Sequence, residues 1–339
     1  YTNLHPRYQS ETQKYQKPIV KTRNKLLVIL GPTSSGKTRL AVALAKKFDG
    51  EIVSADSRQV YRDMDIGTGK DLKEYGTIPY HLIDVASPRV RFSVAQYQRL
   101  AYKTIRDILR RGKLPILAGG TGLYIQSIVD GTVFPKAKPD PKLRQKLAKL
   151  SLPALLRKLT TLDPATFARI DKRNRRRVER AVEICILTRK PLSEQRLKNP
   201  PPYDILQIGI ALPKETLHKK IDARLRERLG KTPHPPLSHK GRGLKRGGGL
   251  IEEVQKLHRQ GLSWKRLDEF GLEYRFVSRY LRGKLSLEQM NGKLSRAIKN
   301  FSKRQMSWFK RDPRIHWVSS AQETRTLVIK FLHPKKLLQ

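Results

Sequence analysis

The chain has 339 residues, of which 72 are Lys or Arg and 29 are Asp or Glu, giving a formal net charge of +43 at pH 7. A field this positive favours a polyanionic partner such as nucleic acid, an anionic membrane or a phosphorylated ligand, although a lysine-rich proteome would also raise the charge. The single cysteine, Cys185, excludes an intramolecular disulfide and a cysteine-based zinc site, and no apolar run reaches the roughly 20 residues of a membrane helix. We therefore expect a cytoplasmic protein without a membrane partner, beginning with a polar, disordered leader over residues 1–24.

Short apolar strands alternate with helical patterns between Leu26 and about Phe134. Strands are predicted at "LLVIL", "GEIVSADS", "PYHLIDV" and "LPILAGG", and helices at "TRLAVALAKKF" and "SVAQYQRLAYKTIRDILRRG". This alternation predicts the α/β fold class with a parallel sheet flanked by helices, and the stretch "GPTSSGKT" after the first strand makes that sheet P-loop NTPase-like. Because ligands bind such sheets at the carboxyl ends of the strands, Thr33–Thr38, Asp56 and Gly119–Thr121 are expected to converge there.

The pattern changes in the middle of the chain. Residues 135–202 are helical and very basic and end in consecutive prolines, which predicts an all-helical insertion domain. The stretch "YDILQIGIALP" then returns to strand character, so the α/β core with its C-terminal helices covers 25–134 and 203–318. Residues 230–249 are rich in Gly, Pro and basic residues and are predicted to form a flexible loop. Residues 319–339 are treated as a tail to which no role is assigned.

The stretch "GPTSSGKT" matches the phosphate-binding pattern G-x-x-x-x-G-K-[ST] and lies between a predicted strand and a predicted helix. Its glycines allow backbone conformations that turn several N–H groups toward one anion, and the start of the helix adds a positive dipole. Lys37 supplies a point charge, and the hydroxyl of Thr38 suits a Mg²⁺ ion. The sequence therefore predicts a phosphate site with Mg²⁺ as its cofactor.

ATPases and kinases with a phosphate loop usually have an apolar strand that ends in an acidic residue, which steadies the metal ion. In this chain the strand "LPILAGG" ends in glycines instead. Asp56, in "SADSRQ", is instead the acid at a strand end that is expected beside the phosphate loop. It is either a helix cap or turn residue, or a base or metal ligand. Its position favours the second interpretation.

Six motifs occur in the order typical of one enzyme family: "GPTSSGKT", "EIVSADSRQVYRDMDIGTGK", "HLIDV", "FSVAQYQ", "LPILAGGTGLYI" and "SKRQMSWFKRD". From about Lys25 to Asp312 the chain resembles the tRNA dimethylallyltransferases, also called tRNA isopentenyltransferases, of the IPP transferase family. The absence of a zinc-finger extension of the eukaryotic kind favours the bacterial type. The resemblance implies transfer of a dimethylallyl group from dimethylallyl diphosphate to the N6 amine of the tRNA adenine next to the anticodon on its 3′ side, so that diphosphate is a leaving group.

The same resemblance implies roles for individual residues at the reacting centre. Asp56 would accept the proton of the adenine amine, and Thr33 and Arg224 would assist at the diphosphate, although a basic helix contains many arginines besides Arg224. Asp56, Thr33 and Arg224 are thus the candidate catalytic residues, and Thr38 is the candidate Mg²⁺ ligand. The candidate diphosphate-binding residues are Gly31, Pro32, Thr33, Ser34, Ser35, Gly36, Lys37 and Thr38.

The resemblance also implies contacts with the anticodon arm of tRNA. Gly119, Gly120 and Gly122 would leave backbone room for a channel between the two substrates, or they form a simple turn. The arginines of the insertion are either phosphate contacts or a solvated helix face, and the cluster as a whole favours the first interpretation. The candidate tRNA-binding residues are Asp56, Ser57, Arg58, Gln59, Thr121, Arg144, Arg176, Arg177, Val178, Glu179 and Arg180.

Three other functions stay open on the sequence. A soluble adenylate isopentenyltransferase would share the phosphate loop and the acid but would not need the basic insertion. A small-molecule P-loop kinase is disfavoured by the missing acidic strand end. An RNA-binding protein that has lost its chemistry is disfavoured by the presence of Lys37, Thr38, Asp56 and Thr121. By default we expect a monomer.

Overall fold

The computed structural model describes residues 24–135, 137, 139–195, 198–230 and 249–333 of the chain. These residues fall into two compact units. The core unit runs up to Ile125 and resumes at Pro202, and the helical unit comprises Gln126–Pro201. Almost all of the predicted leader and of the predicted flexible loop lies outside the described residues.

A six-stranded sheet of parallel strands forms the centre of the core unit. The strands are β1 (Asn24–Leu30), β2 (Gly50–Ser54), β3 (Tyr80–His81), β4 (Leu114–Gly119), β5 (Tyr203–Ile210) and β6 (Ile315–Val318). Their order across the sheet is β3-β2-β4-β1-β5-β6, so β4 separates the phosphate-loop strand from β2. The central strands are nearly continuous runs of buried residues, as expected of a parallel sheet covered on both faces.

Helices connect the strands and cover the sheet. In chain order they are α1 (Lys37–Lys47), α2 (Val94–Arg110), α3 (Gly122–Val129), α4 (Pro141–Ala148), α5 (Leu152–Leu162), α6 (Pro164–Arg169), α7 (Arg175–Thr188), α8 (Leu192–Gln195), α9 (Lys214–Leu229), α10 (Leu250–Arg259), α11 (Trp264–Glu269), α12 (Leu272–Leu281), α13 (Leu287–Phe309) and α14 (Ala321–Leu332). A short 3₁₀ helix covers Leu72–Tyr75. Within the described ranges, no helix is long and apolar enough to cross a membrane.

The core of the sheet packs against α1 and α14. Ile29, Ile52 and Ile208 from three strands are buried together with Leu44 of α1 and Val328 of α14. These side chains leave water on folding, and removal of apolar surface from water is the main force that holds the helices on the sheet. The predicted parallel sheet flanked by helices is confirmed.

Two elements near the C-terminus are absent from the sequence prediction. β6 pairs with β5 and extends the sheet, and α14 follows it inside the segment treated as a tail. The four residues of β6 are too few to give a periodic signal, and pairing with β5 decides their conformation. Residues 315–332, which include β6 and α14, therefore belong to the core unit.

The helical unit has an apolar core of its own. α5 and α7 bury Leu155, Leu159 and Val182 against one another. The unit begins inside α3 at Gln126, whereas the sequence analysis placed the start of the insertion at 135. Four of its helices start at residues whose side chains accept a hydrogen bond from a backbone N–H of the first turn, namely Asp140, Ser151, Asp163 and Asn174.

Candidate active site

The phosphate loop, Gly31–Thr38, connects the carboxyl end of β1 to α1. Positive φ angles occur at Gly31 (154°), Ser34 (61°) and Gly36 (90°), and glycine adopts such angles without the steric cost of a Cβ atom. Gly36 is the N-cap of α1 and offers no side chain to its first N–H groups. The positive end of the helix dipole is therefore open to an anion, as the sequence predicted.

Two hydroxyl groups of the loop have unusual surroundings. Ser35 is buried, and its Oγ has no hydrogen-bond partner among the described residues. A buried hydroxyl that lacks a partner suits a site where a ligand oxygen binds. The second hydroxyl is that of Thr38, the candidate metal ligand, which donates a hydrogen bond to the Tyr75 phenol. Burial raises the pKa of Tyr75, and this hydrogen bond opposes part of the rise.

Lys37 is the cation of the loop. Its Nζ donates a hydrogen bond to the carbonyl of Pro32 at 2.6 Å. Burial lowers its pKa to about 8, the Asp56 carboxylate acts against this shift, and the positive charge of Arg224 adds to it. The charges of Asp56 and Arg224 both act on the Lys37 ammonium group. The structure therefore places near one another three residues that the sequence analysis assigned to the reacting centre.

Asp56 follows β2 and is half-buried. Its Oδ1 accepts a hydrogen bond from the backbone N–H of Arg58 at 2.8 Å, so the carboxylate does form a local turn. Its other oxygen, Oδ2, has no hydrogen-bond partner within the described part of the chain. The turn fixes one carboxylate oxygen and leaves the second available to a substrate, which makes the turn and base interpretations of Asp56 compatible.

The turn after β4 is joined to the turn after β2. The N–H of Ser57 donates to Oγ1 of Thr121 at 3.0 Å, and the Thr121 hydroxyl donates to Oγ of Ser57 at 3.3 Å. The N–H of Thr121 also donates to the carbonyl of Ala55 at 3.1 Å. Thr121 thus lies next to Ser57 and one residue away from Asp56.

The carbonyl of Gly69 links two candidate residues with different assignments. It accepts a hydrogen bond from Nε2 of Gln59 at 3.2 Å and another from Nη2 of Arg224 at 3.2 Å. Gln59 was assigned to tRNA and Arg224 to the diphosphate. The Gly69 carbonyl oxygen therefore accepts hydrogen bonds from one residue assigned to the tRNA and from one assigned to the diphosphate. Nη1 of Arg58 instead donates to the carbonyl of Glu269 at 3.2 Å.

A second arginine lies behind Arg224. Arg228 forms an ion pair with Glu273, with Nη1 and Oε1 3.6 Å apart. Burial, together with the neighbouring charge of Arg224, lowers the pKa of Arg228 to about 10. Burial raises the pKa of Glu273, while the charge of Arg228 opposes this. Both side chains are half-buried next to the site, and sequence reasoning did not single out either of them.

The glycines of "GGTG" are required by close packing. A Cβ atom at Gly119 would lie 2.2 Å from the carbonyl oxygen of Ala55, and one at Gly120 would lie 2.6 Å from Nε2 of Gln305. A Cβ atom at Gly122 would lie 2.4 Å from the ring of Trp308. The two interpretations in the sequence analysis were a channel and a simple turn. The observed reason is the close approach of β2 and α13.

A carboxylate that sequence reasoning missed holds the loop that contains Gly69. Glu253 of α10 accepts hydrogen bonds from the backbone N–H groups of Asp65, Ile66 and Gly67 at 2.6 to 3.0 Å, and from the phenol of Tyr274 at 2.7 Å. The segment "DIGTGK" was part of the family resemblance, but nothing in the sequence indicates its distant partner.

The arginines assigned to tRNA in the helical unit fall into two groups. Arg144 and Arg180 both bind the buried carboxylate of Glu183, with N–O distances of 2.8 to 3.0 Å. Burial would raise the pKa of Glu183, and hydrogen bonds from both arginines hold it below its usual value. Arg176 and Arg177 are exposed, and their guanidinium groups have no hydrogen-bond or ion-pair partner among the described residues. The first pair stabilises the unit, and the second pair is available to an anion.

Two further candidates of α7 have structural contacts. Val178 is fully buried in the core of the helical unit, so its assignment as a tRNA contact is corrected: its side chain has no surface to offer. Glu179 is half-buried and pairs with Arg175, one helical turn earlier, at 2.7 Å.

The donor groups near Thr38 are compatible with Mg²⁺. Among the described residues, no group of three or more His, Cys, Asp or Glu side chains could hold a metal ion. Mg²⁺ commonly keeps several waters and takes its other ligands from one or two protein oxygens and from substrate phosphates. The hydroxyl of Thr38 and the nearby carboxylate of Asp56 are oxygen donors of this kind, so the residues fit an ion that a diphosphate would bring with it.

Comparisons with known sequences agree with these observations. A family model described as IPP transferase matches residues 59–234 and 241–312. A tRNA dimethylallyltransferase 2 from Trichlorobacter lovleyi is 44% identical over 300 residues, which are 87% of this chain and 92% of that protein. A tRNA dimethylallyltransferase from Roseiflexus sp. is 41% identical over 295 residues, which are 86% and 91% of the two chains.

Solved structures are similar as well. The full-length tRNA isopentenylpyrophosphate transferase from Bacillus halodurans has a TM-score of 0.66 and 33% identity, covering 93% of this chain and 99% of that chain. A eukaryotic dimethylallyltransferase acting on tRNA has a TM-score of 0.75 at 24% identity, covering 92% and 80%, and supports the fold. Because the family model and the sequence relatives both span most of its length, the chain belongs to the IPP transferase family.

Proposed function

We propose that this chain is a tRNA dimethylallyltransferase. It transfers the dimethylallyl group from dimethylallyl diphosphate to the N6 amine of the adenine next to the anticodon on its 3′ side, giving N6-(dimethylallyl)adenosine and releasing diphosphate. The observation that carries the proposal is that Lys37, the phosphate-loop cation, lies near enough to Asp56 and Arg224 for both of their charges to act on its pKa. The names of the relatives support the same reaction.

The phosphate loop stabilises the leaving group. As the bond between the allylic carbon and the diphosphate oxygen breaks, its electron pair stays on the diphosphate, whose negative charge grows. Lys37, Arg224 and the open N–H groups at the start of α1 stabilise that charge from fixed positions. The Ser35 hydroxyl and the Thr33 side chain add polar contacts. A bound Mg²⁺ ion, held by Thr38 and the diphosphate oxygens, would supply further positive charge.

Asp56 takes the proton from the nucleophile. The N6 amine of adenine is a weak nucleophile because its lone pair is delocalised into the ring. It becomes acidic only as the new carbon–nitrogen bond forms, so the base does not need a strongly raised pKa. The N–H of Arg58 orients Oδ1 of Asp56, and Oδ2 receives the proton.

The tRNA substrate is bound by both units. The target adenine must leave the stacked anticodon loop to reach Asp56, and bases in loops are the part of an RNA that proteins can extrude and read. Ser57, Arg58, Gln59 and Thr121 contact the nucleotides around it. In the helical unit, the exposed arginines neutralise backbone phosphates and contribute affinity that depends on salt.

A transfer assay with several acceptors tests this proposal. Dimethylallyl diphosphate labelled in its prenyl group is incubated with the protein, Mg²⁺ and unmodified tRNA that has adenine 3′ of its anticodon. Parallel reactions contain free AMP, the same tRNA with that adenine replaced by guanine, and ATP with no prenyl donor. We expect label on the adenine-containing tRNA alone and no phosphoryl transfer from ATP.

The other outcomes identify the alternatives. Label on AMP with none on tRNA would indicate a soluble adenylate isopentenyltransferase. Transfer of phosphate from ATP would indicate a P-loop kinase. Tight tRNA binding without label on any acceptor would indicate an RNA-binding protein without the chemistry. Each of these results would overturn the proposed function.

A further inference from the structure

One residue of the motif "SKRQMSWFKRD" bridges two parts of the active site, although the proposed reaction assigns that motif no role. Gln305 lies on α13 and is only 8% exposed. Its Oε1 accepts a hydrogen bond from the N–H of Thr33 at 2.9 Å, and its Nε2 donates one to the carbonyl of Gly120 at 2.8 Å. A single buried side chain therefore joins the phosphate loop to the turn after β4.

We propose that Gln305 is a positioning residue that sets the distance between the diphosphate and the proton acceptor. The inference rests on the proposed function. Thr33 belongs to the loop that holds the leaving group. Gly120 precedes Thr121, whose hydroxyl accepts from the N–H of Ser57, the residue after Asp56. Through two hydrogen bonds, Gln305 thus connects the loop that holds the leaving group to the turn that contacts the residue after the proton acceptor.

The chemistry of the bridge suits a neutral amide. The N–H of Thr33 requires an acceptor and the carbonyl of Gly120 requires a donor, and a primary amide supplies both. If the Gln305 amide were rotated by 180°, its NH₂ would face an N–H and its oxygen would face a carbonyl. A glutamate would keep the acceptor and lose the donor, and a methionine of similar shape would lose both.

Packing around the bridge supports the same role. A Cβ atom at Gly120 would lie 2.6 Å from Nε2 of Gln305 and 3.5 Å from the carbonyl oxygen of Gly31. One turn further along α13, Trp308 packs against Gly122 so closely that a Cβ atom there would lie 2.4 Å from its ring. α13 therefore contacts the turn after β4 at two successive positions.

Distance control of this kind bears on the rate. Alkyl transfer needs the amine, the allylic carbon and the departing oxygen in line, and misplacement by about 1 Å can cost roughly 100-fold in rate. Loss of the Gln305 amide removes the two hydrogen bonds that join the phosphate loop to the turn after β4. The relative position of the two substrates then varies, while each substrate site keeps its own contacts.

The test compares Gln305→Met and Gln305→Glu with the wild type, and uses Gln322→Met as the matched control. Gln322 is an exposed residue of α14, remote in sequence from both site segments. Steady-state transfer is measured while dimethylallyl diphosphate and tRNA are varied separately. Circular dichroism gives the folded fraction of each variant, and tRNA binding is measured without the prenyl donor.

We expect Gln305→Met to lower kcat per folded enzyme by about 10- to 100-fold, with tRNA affinity within about twofold of the wild type. We expect Gln305→Glu to be at least as impaired and Gln322→Met to be unchanged. A loss of folded protein with kcat and both KM values unchanged per folded enzyme would reduce Gln305 to a structural residue and overturn the inference. Absence of transfer by the wild type would instead overturn the proposed function.

A double substitution separates the bridge from general damage. Gly120→Ala places its methyl group against Nε2 of Gln305, so it should disturb the same interaction. If the bridge carries the effect, Gly120→Ala combined with Gln305→Met lowers kcat little more than the worse single change, since coupled residues are not additive. Full additivity of the two losses would contradict the inference.

Discussion

The phosphate loop of the core unit and the arginines of the helical unit are both basic, and both were assigned to phosphate groups, but their environments differ. In the loop, backbone conformation and a helix start define the site, and its one cation is held by the carbonyl of Pro32. In the helical unit, Arg144 and Arg180 are bound to the buried Glu183, while Arg176 and Arg177 are exposed and unpaired among the described residues.

A basic residue type therefore does not by itself indicate a ligand contact. An arginine that pairs with a buried carboxylate supports the fold, because that carboxylate needs its hydrogen bonds. An exposed arginine without a partner is free to bind an external phosphate. In the proposed function, the core unit performs the chemistry, whereas in the helical unit some arginines supply stability and others supply affinity for tRNA.

The largest effect is expected from Asp56→Asn in the core unit. The amide cannot accept the proton of the adenine amine, so we expect kcat to fall by about 100- to 10,000-fold, the range typical of a lost general base. tRNA affinity should stay within about twofold, since Oδ1 can still accept from the N–H of Arg58. Asp107→Asn, on the exposed face of α2, is the matched control. A large loss of tRNA binding would make Asp56 chiefly a recognition residue.

The next effect concerns the stability of the helical unit. Glu183→Gln removes the charge that Arg144 and Arg180 share, and we expect a loss of about 1–2 kcal/mol in the free energy of unfolding. This figure is kept low because both arginines are partly exposed and screened by solvent. Urea unfolding checks it, with the half-buried Glu179→Gln as control, for which a change of about 0.5 kcal/mol or less is expected. Equal losses in the two variants would remove the distinction between the two acids.

The exposed pair of the same unit should affect binding and leave stability unchanged. We expect Arg176→Ala combined with Arg177→Ala to weaken tRNA binding about tenfold and to reduce the slope of log Kd against log salt by about 1.5. Arg157→Ala with Lys158→Ala on α5 removes the same charge from another part of the unit and should leave the slope unchanged. If the two double variants lose affinity equally, the positive field of the unit acts without a specific contact.

The smallest effect is the pH dependence of diphosphate binding. In the proposed reaction Lys37 binds the diphosphate as a cation, and its pKa in the free protein is lowered to about 8. Its protonated fraction then falls from about nine-tenths at pH 7 to about one-tenth at pH 9, so affinity for dimethylallyl diphosphate should fall by just under tenfold over that range. Lys37→Arg, which stays charged, should flatten the profile. A flat wild-type profile would contradict the lowered pKa.

Much of this account could be predicted from the sequence because its signals are local. The glycine spacing between a strand and a helix predicts the phosphate loop, and the alternation of strands and helices predicts the parallel sheet. Asp56 was identified by its position after a strand. These features depend on neighbours along the chain, which the sequence displays directly.

The remaining features depend on partners that are distant in sequence. Gln305 reaches Thr33 across 272 positions, and Glu253 holds a loop 186 to 188 positions away. Neither pairing leaves a periodic or spacing signal. In the same way, only the fold distinguishes Arg180 from Arg177, because the distinction is the buried acid that one of them meets. Charge and helical periodicity are the same for both until the tertiary contacts form.

In the proposed reaction, the phosphate loop holds the diphosphate of dimethylallyl diphosphate. That diphosphate is expelled as the leaving group while the dimethylallyl group is transferred to tRNA. The most direct measurement uses dimethylallyl diphosphate carrying one label in the prenyl group and a second on its terminal phosphorus, with unmodified tRNA as acceptor. We expect prenyl label on the N6 of one adenosine beside the anticodon and an equal amount of the phosphorus label in free diphosphate. Phosphorus label on the tRNA, or prenyl label on any other acceptor, would contradict it.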